Sequence, residues 1–188
     1  MKANDKQIEQ RILERTAEII FDRGIRGWSM DQLAADVGLA KNTLYKIINS
    51  KEELIERVII GYIRSVQTRM VEIINQERDY IIALEKITSE FPTLLNSLYT
   101  GSMQEIFLEY PSIEKRVRAH QDEMTIRIIT FLKTGIDKGV LRSDAKPEFF
   151  FEILQALILH FIKTGTKGAE LADKLRLAFN FLIKGIKN

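Results

Sequence analysis

The sequence predicts an all-α chain, and three observations lead there. Only Pro92, Pro111 and Pro147 are prolines in 188 residues. Apolar residues recur three and four positions apart rather than alternating, and no Asn-Gly or Asp-Gly pair offers a hairpin turn. The expected architecture is an N-terminal three-helix bundle with a larger helical region after it, divided as residues 1–50 and 51–188.

The elements follow in order. Ile8, Ile12, Thr16, Ile19 and Ile20 form one stripe on a first helix that should end near Gly24, because glycine is favoured just past a helix C-terminus. Ser29 and Gln32 make a capping-box pair, with Trp28 and Leu33 placed as a hydrophobic staple, so a second helix starts at Met30. Gly38 arrives after two turns and re-aims the chain into a third helix over Lys41 to Ile48. Ser50 with Glu53 repeats the capping signal and opens a long helix through Leu54, Val58, Tyr62, Ser65, Arg69 and Ile73. Further helices are expected at Tyr80 to Glu90, Thr93 to Tyr99, Met103 to Leu108, Ser112 to Lys138, Pro147 to Thr164 and Ala169 to Ile186. Pro111 and Pro147 sit in first helical turns, where the missing N–H costs nothing.

Composition excludes several classes of function. With 28 basic against 26 acidic residues the formal charge is +2, so any surface that attracts a polyanion must be local. Cysteine is absent, which removes disulfides, thiolate catalysis and sulfur-dependent zinc sites. Met1 to Arg11 is polar where a secretory signal needs an apolar stretch, so a cytoplasmic location is expected. The most apolar segment, Phe149 to Ile162, is interrupted by Glu152, Gln155 and His160 and falls short of the ~20 residues that span a bilayer, so no membrane partner is expected. No cofactor, metal or catalytic site is expected either. Two histidines form no zinc constellation, Gly165-Thr-Lys-Gly168 lacks phosphate-loop spacing, and no Gly-x-Ser-x-Gly turn occurs. Glu105 and Glu109 lie one turn apart without a Glu-x-x-His partner, as exposed helix charges do. An enzyme is not expected.

The run Gln32-Leu-Ala-Ala-Asp-Val-Gly-Leu-Ala-Lys-Asn-Thr-Leu-Tyr45 has the pattern of a helix-turn-helix. Two short helices crossing steeply need a small residue at their closest approach, a glycine in the turn and apolar residues on both sides of the corner. Ala34, Gly38, and Leu33, Val37, Leu39 and Leu44 fill those roles. Residues 1 to 60 carry ten basic and ten acidic side chains, yet Val37 to Lys51 holds Lys41, Lys46 and Lys51 and no acid. Spaced lysines alone fit a solvated face equally well; beside the turn motif they favour contact with the phosphates of double-stranded DNA.

The run Trp28-Ser-Met-Asp-Gln-Leu-Ala-Ala-Asp-Val-Gly-Leu-Ala-Lys-Asn-Thr-Leu-Tyr, followed by Asn49-Ser-Lys-Glu-Glu-Leu54, resembles the DNA-binding region of the TetR family of bacterial transcriptional regulators. The resemblance covers about residues 6 to 56, and beyond them it is one of helix pattern and length. It implies that Ser29 caps the second helix and touches phosphate, that Lys41, Asn42 and Thr43 face bases or backbone, and that Tyr45 and Lys51 bind phosphates, with Lys46 on the same helix. Asn42 stands where the family usually has glycine, and Ile47 and Ile48 where its helix often ends with aromatics.

The resemblance further implies a homodimer paired through the last two helices, a small-molecule pocket among the middle helices, and repression relieved by that ligand. The residues independently support the pairing. The helices carrying Phe150, Leu154, Leu157 and Phe161, and Leu175, Phe179 and Leu182, bear more apolar surface than one face can hide, as an interface shared with a second copy would. Pocket candidates are Leu95, Tyr99, Met103, Phe107, Met124 and Phe131, although such residues at helical spacing are more commonly core. The alternative function is a helical small-molecule or lipid carrier in which the turn motif is only structural.

Overall fold

The computed structural model describes residues 3–98, 102–166 and 168–188. Among them are nine α-helices: α1 (Ala3–Arg23), α2 (Met30–Asp36), α3 (Lys41–Ile47), α4 (Lys51–Gln76), α5 (Tyr80–Leu98), α6 (Ser102–Glu109), α7 (Pro111–Asp137), α8 (Pro147–Lys163) and α9 (Gly168–Ile186). The described residues divide into two compact units, one drawn from 1–63 and 101–117 and the other from 64–100 and 118–188. Helices α4 and α7 contribute to both.

In the first unit the stripes of α1, α2, α3 and the start of α4 close on one core. Ile12, Leu33, Leu44, Ile48 and Leu54 are almost wholly buried, and Trp28, Leu39 and Ile47 pack against them. Burying each such aliphatic side chain contributes about 1.5–3 kcal/mol, which is what lets helices of two turns persist. Polar ties fix their angles. Arg15 on α1 makes a two-nitrogen contact with Asp36 of α2 at 3.1 and 2.9 Å, and Arg57 on α4 meets Glu9 of α1 at 2.6 Å. The Arg11 guanidinium donates to the Val37 carbonyl at the turn. Helix α6 packs on α1 in the same unit.

The second unit is built on α9, which packs against α5 and α8. Leu171, Leu175 and Phe179 face inward, and Phe179 meets Phe91 of α5 edge to face at 5.6 Å. The chain end is tied down by a short antiparallel bridge between Leu141 and Lys187, with Arg142 N–H donating to the Ile186 carbonyl at 2.8 Å.

One expected break is absent. Two helices were expected around Pro92, but α5 runs through it. Proline removes one backbone hydrogen bond from a helix. Here Phe91 and Pro92 are both buried, and anchoring them in the core outweighs that local preference. Among the described residues no helix is long and apolar enough to cross a membrane, and none of their His, Asp and Glu side chains group to hold a metal ion.

Candidate nucleic-acid interface and ligand groove

The turn between α2 and α3 is made by local chemistry. Ser29 Oγ accepts from Gln32 N–H at 3.2 Å and Gln32 Oε1 accepts from Ser29 N–H at 2.8 Å, closing the expected capping box. Gly38 has φ +68°, and Leu39 N–H reaches back to the Ala34 carbonyl at 2.8 Å. Leu44 and Ile48 then turn inward with no exposure, which fixes the opposite side of α3 toward solvent. Lys41, Asn42, Thr43, Tyr45 and Lys46 of this helix are all exposed.

Five of the seven nominated DNA-contacting residues are therefore exposed on α3, and Ser29 is exposed at the start of α2. Lys41 is engaged locally, with its ammonium 2.7 Å from an Asp31 carboxylate oxygen and 5.9 Å from the centre of the Tyr45 ring. The hydrogen bond from Asp31 raises its pKa above the ordinary lysine value.

Lys51 is placed differently from the other six. It is half-buried, and its Nζ donates to the carbonyls of Ile25 at 2.7 Å and Trp28 at 2.9 Å while lying 4.2 Å from the centre of the Trp28 ring. All of this engages the ammonium with its own chain, and burial lowers its pKa. The side chain clasps the turn ahead of α2 to the first residue of α4. Sequence reasoning could not see this clasp, because both acceptors are backbone atoms more than twenty positions away. Next to it, Glu53 N–H donates to Ser50 Oγ at 3.1 Å, but the Glu53 carboxylate accepts from Asn49 N–H at 3.1 Å and Asn49 Nδ2 at 2.7 Å, one residue earlier than a capping box would place it.

Within the second unit a groove of about 530 Å³ opens between the end of α4, the start of α5 and the middle of α7. Its apolar wall includes Val71, Ile74, Ala83, Ile126 and Phe131, and its rim carries Glu77, Glu123, Arg127 and Lys138. Tyr80 forms part of the lining, stacked on Phe131 at 4.5 Å with its hydroxyl donating to the Phe131 carbonyl at 3.1 Å. Burial pushes that phenol well above the usual tyrosine range. Gly135 makes the arrangement possible: a Cβ there would lie 2.3 Å from Tyr80 Oη.

Of the six pocket candidates, Phe131 lines this groove. Met124 is buried in the same unit without lining it; Met103 and Phe107 belong to the other unit, buried and half-buried. Tyr99 and the side chain of Leu95 lie outside the described residues. The residues nominated for pairing divide by exposure. Phe150, Leu154, Leu175 and Phe179 are at most 5% exposed, buried within their own chain, and Leu157, Phe161 and Leu182 are half-buried. Among the described residues, the large apolar side chains of α8 and α9 that are at least half exposed are Phe149, Leu159, Leu177 and Phe181.

Known proteins resemble this chain in one segment and in overall fold. Residues 12–58 match the profile of the family described as bacterial regulatory proteins, tetR family. The uncharacterized HTH-type transcriptional regulator YvaF of Bacillus subtilis (strain 168) is 29% identical over 102 residues, which is 53% of this chain and 52% of that protein, so the match spans about half the length of this relative. Among solved structures, a TetR-family transcriptional regulator from Agrobacterium tumefaciens superimposes with a TM-score of 0.79 at 16% identity, covering 98% of this chain and 100% of that one. A transcriptional regulator from Saccharomonospora viridis in complex with choline gives 0.74 at 20% identity, covering 97% and 99%. Residues 12–58 thus resemble bacterial regulatory proteins of the tetR family, and the chain as a whole shares the fold of the two solved regulators.

Proposed function

We propose that the protein is a homodimeric transcriptional repressor that binds an inverted-repeat operator through residues 1–50 and leaves it when a small molecule enters residues 51–188. The observation that carries this reading is α3. Its apolar side is locked into the core by Leu44 and Ile48, while Lys41, Asn42, Thr43, Tyr45 and Lys46 are presented together to solvent. A helix so held enters a major groove as a rigid body, with Asn42 and Thr43 suited to base edges and the lysines to phosphates. The exposed Phe149, Leu159, Leu177 and Phe181 support pairing through α8 and α9, and successive major grooves require the two recognition helices of such a pair to lie about 34–36 Å apart.

The groove offers a means of control. Helix α4 starts at the Lys51 clasp and lines the groove at Val71, Ile74 and Asn75. Helix α7 starts beside it, with Ser112 donating to Glu52 at 2.6 Å and Arg116 paired to Glu56, and lines the groove from Glu123 to Thr134. A ligand that parts α4 from α7 strains the clasp at the far end of the lever, and a coupling of about 1–3 kcal/mol would change operator affinity 5- to 150-fold. A solved neighbour holds choline, so this fold accommodates a small molecule.

The test is selection of duplexes from a random library, followed by titration of the selected site against salt. Asn42→Ala should relax sequence preference, and Lys46→Ala should weaken all sites alike and reduce the salt slope by about one. Absence of any enriched inverted repeat, or equal enrichment by an Asn42→Ala, Lys46→Ala double variant, would overturn the reading.

A further inference from the structure

The charges around the groove point to the class of molecule that it takes, an inference that rests on the groove being the effector site. Along α7 and into the turn that follows it, the lining residues Glu123, Arg127, Phe131, Thr134 and Lys138 follow one another at spacings of three and four and so share a face, the Lys138 N–H still bonded to the Thr134 carbonyl. Three of the four charged groups on the rim are neutralised within the fold. The Glu77 carboxylate is 2.7 Å from Lys86 Nζ, and Glu123 is 3.2 Å from Arg127. Lys138 differs: among the described residues no carboxylate pairs with it, and its ammonium lies 5.8 Å from the centre of the Tyr80 ring. One end of the groove therefore holds an uncompensated cation, and the wall beside it is apolar.

We propose that the groove binds an amphipathic carboxylic acid, its carboxylate at Lys138 and its apolar body along Ile126, Phe131 and Ile74 toward Arg127. Arg127 and Lys138 are separated by about 16 Å of rise, and an extended ten-carbon chain anchored at Lys138 covers about two-thirds of it, reaching past Phe131. The volume lies within the range of pockets that enclose drug-sized ligands. A cationic amphiphile is disfavoured by the same features. Both carboxylates are already paired, and the ring that could face a quaternary ammonium stacks on Phe131 and has Lys138 above it.

The probes are decanoate, decan-1-ol and decyltrimethylammonium, each titrated into the full-length protein with thermal unfolding and operator binding as readouts. Decanoate should raise the melting temperature and weaken operator binding more than the other two at equal concentration. Lys138→Met should reduce its affinity about tenfold or more, as expected for loss of a charge-assisted contact, while leaving operator affinity without ligand unchanged. If decyltrimethylammonium or decanol matches or exceeds decanoate, or Lys138→Met changes nothing, the carboxylate assignment is overturned. Ile126→Trp separates this from failure of the groove itself. If it abolishes the response to whichever probe binds, the groove remains the effector site; if it leaves the response intact, or no probe acts on either readout, the groove reading fails too.

Discussion

Replacing Lys51 by Met keeps the aliphatic stem and removes the ammonium. Lost with it are hydrogen bonds to the Ile25 and Trp28 carbonyls at 2.7 and 2.9 Å and the contact with the Trp28 ring at 4.2 Å. Hydrogen bonds to a charged group are worth about 1.5–3 kcal/mol each, and a cation over an indole about 0.5–1 kcal/mol at a partly exposed site. The loss is smaller than their sum, because the ammonium gives up some hydration to reach this position, as its lowered pKa records, and water can return to the carbonyls. A destabilisation of about 2–3 kcal/mol is expected, or a melting temperature lower by about 5–10 °C for a chain of this size. Trp28 is the single tryptophan and sits in the clasp, so its emission during urea unfolding reports the affected region directly. If Lys51→Met leaves stability within about 0.5 kcal/mol of the parent and instead lowers the salt slope of duplex binding by about one, then the side chain serves phosphate and the clasp argument is wrong.

Phe181→Glu, at a site 67% exposed, should halve the particle mass in light scattering while helical content stays; Leu175→Glu, at a fully buried site, should abolish folding. Gly135→Ala should drive Tyr80 from its slot, costing about 1–3 kcal/mol against the ~1 kcal/mol that alanine gains in a helix; in a Tyr80→Ala background the same change should be neutral or stabilising by thermal unfolding. The Glu53 carboxyl is held below the ordinary glutamate pKa of 4.5, chiefly by the Asn49 side chain. Its folded value is the lower one, so its contribution is complete above 4.5 and disappears as pH falls through the lowered value. Denaturation series from about pH 5 to 3 should therefore show a shallower loss for Glu53→Gln than for the parent.

The turn region was legible in the sequence because its causes are local. A serine and a glutamine three positions apart, a glycine after two turns and an apolar set at the corner decide the geometry within a span of about fifteen residues. What needed the structure was everything that depends on a distant partner. Lys51 reads as a phosphate ligand until Ile25 and Trp28 are brought beneath it. Phe149 and Phe150 are adjacent and alike in the sequence, yet one is 59% and the other 5% exposed. Helices with apolar residues around much of their circumference do not reveal which side meets the chain's own core. The groove candidates were chosen by side-chain type, and Phe131 lines it because Gly135 and Tyr80 shape that stretch of α7, a relation no spacing rule contains.

The bend before α3 has a consequence for how freely this position can change. Nothing lies within 4 Å of where a Cβ on Gly38 would sit, so the site is roomy, and its demand comes from the positive φ alone. The requirement is for handedness rather than smallness. A D-alanine installed by chemical synthesis should be accepted and even rigidify the corner, asparagine should be the mildest natural replacement, and a valine should be the most damaging despite the open space around it.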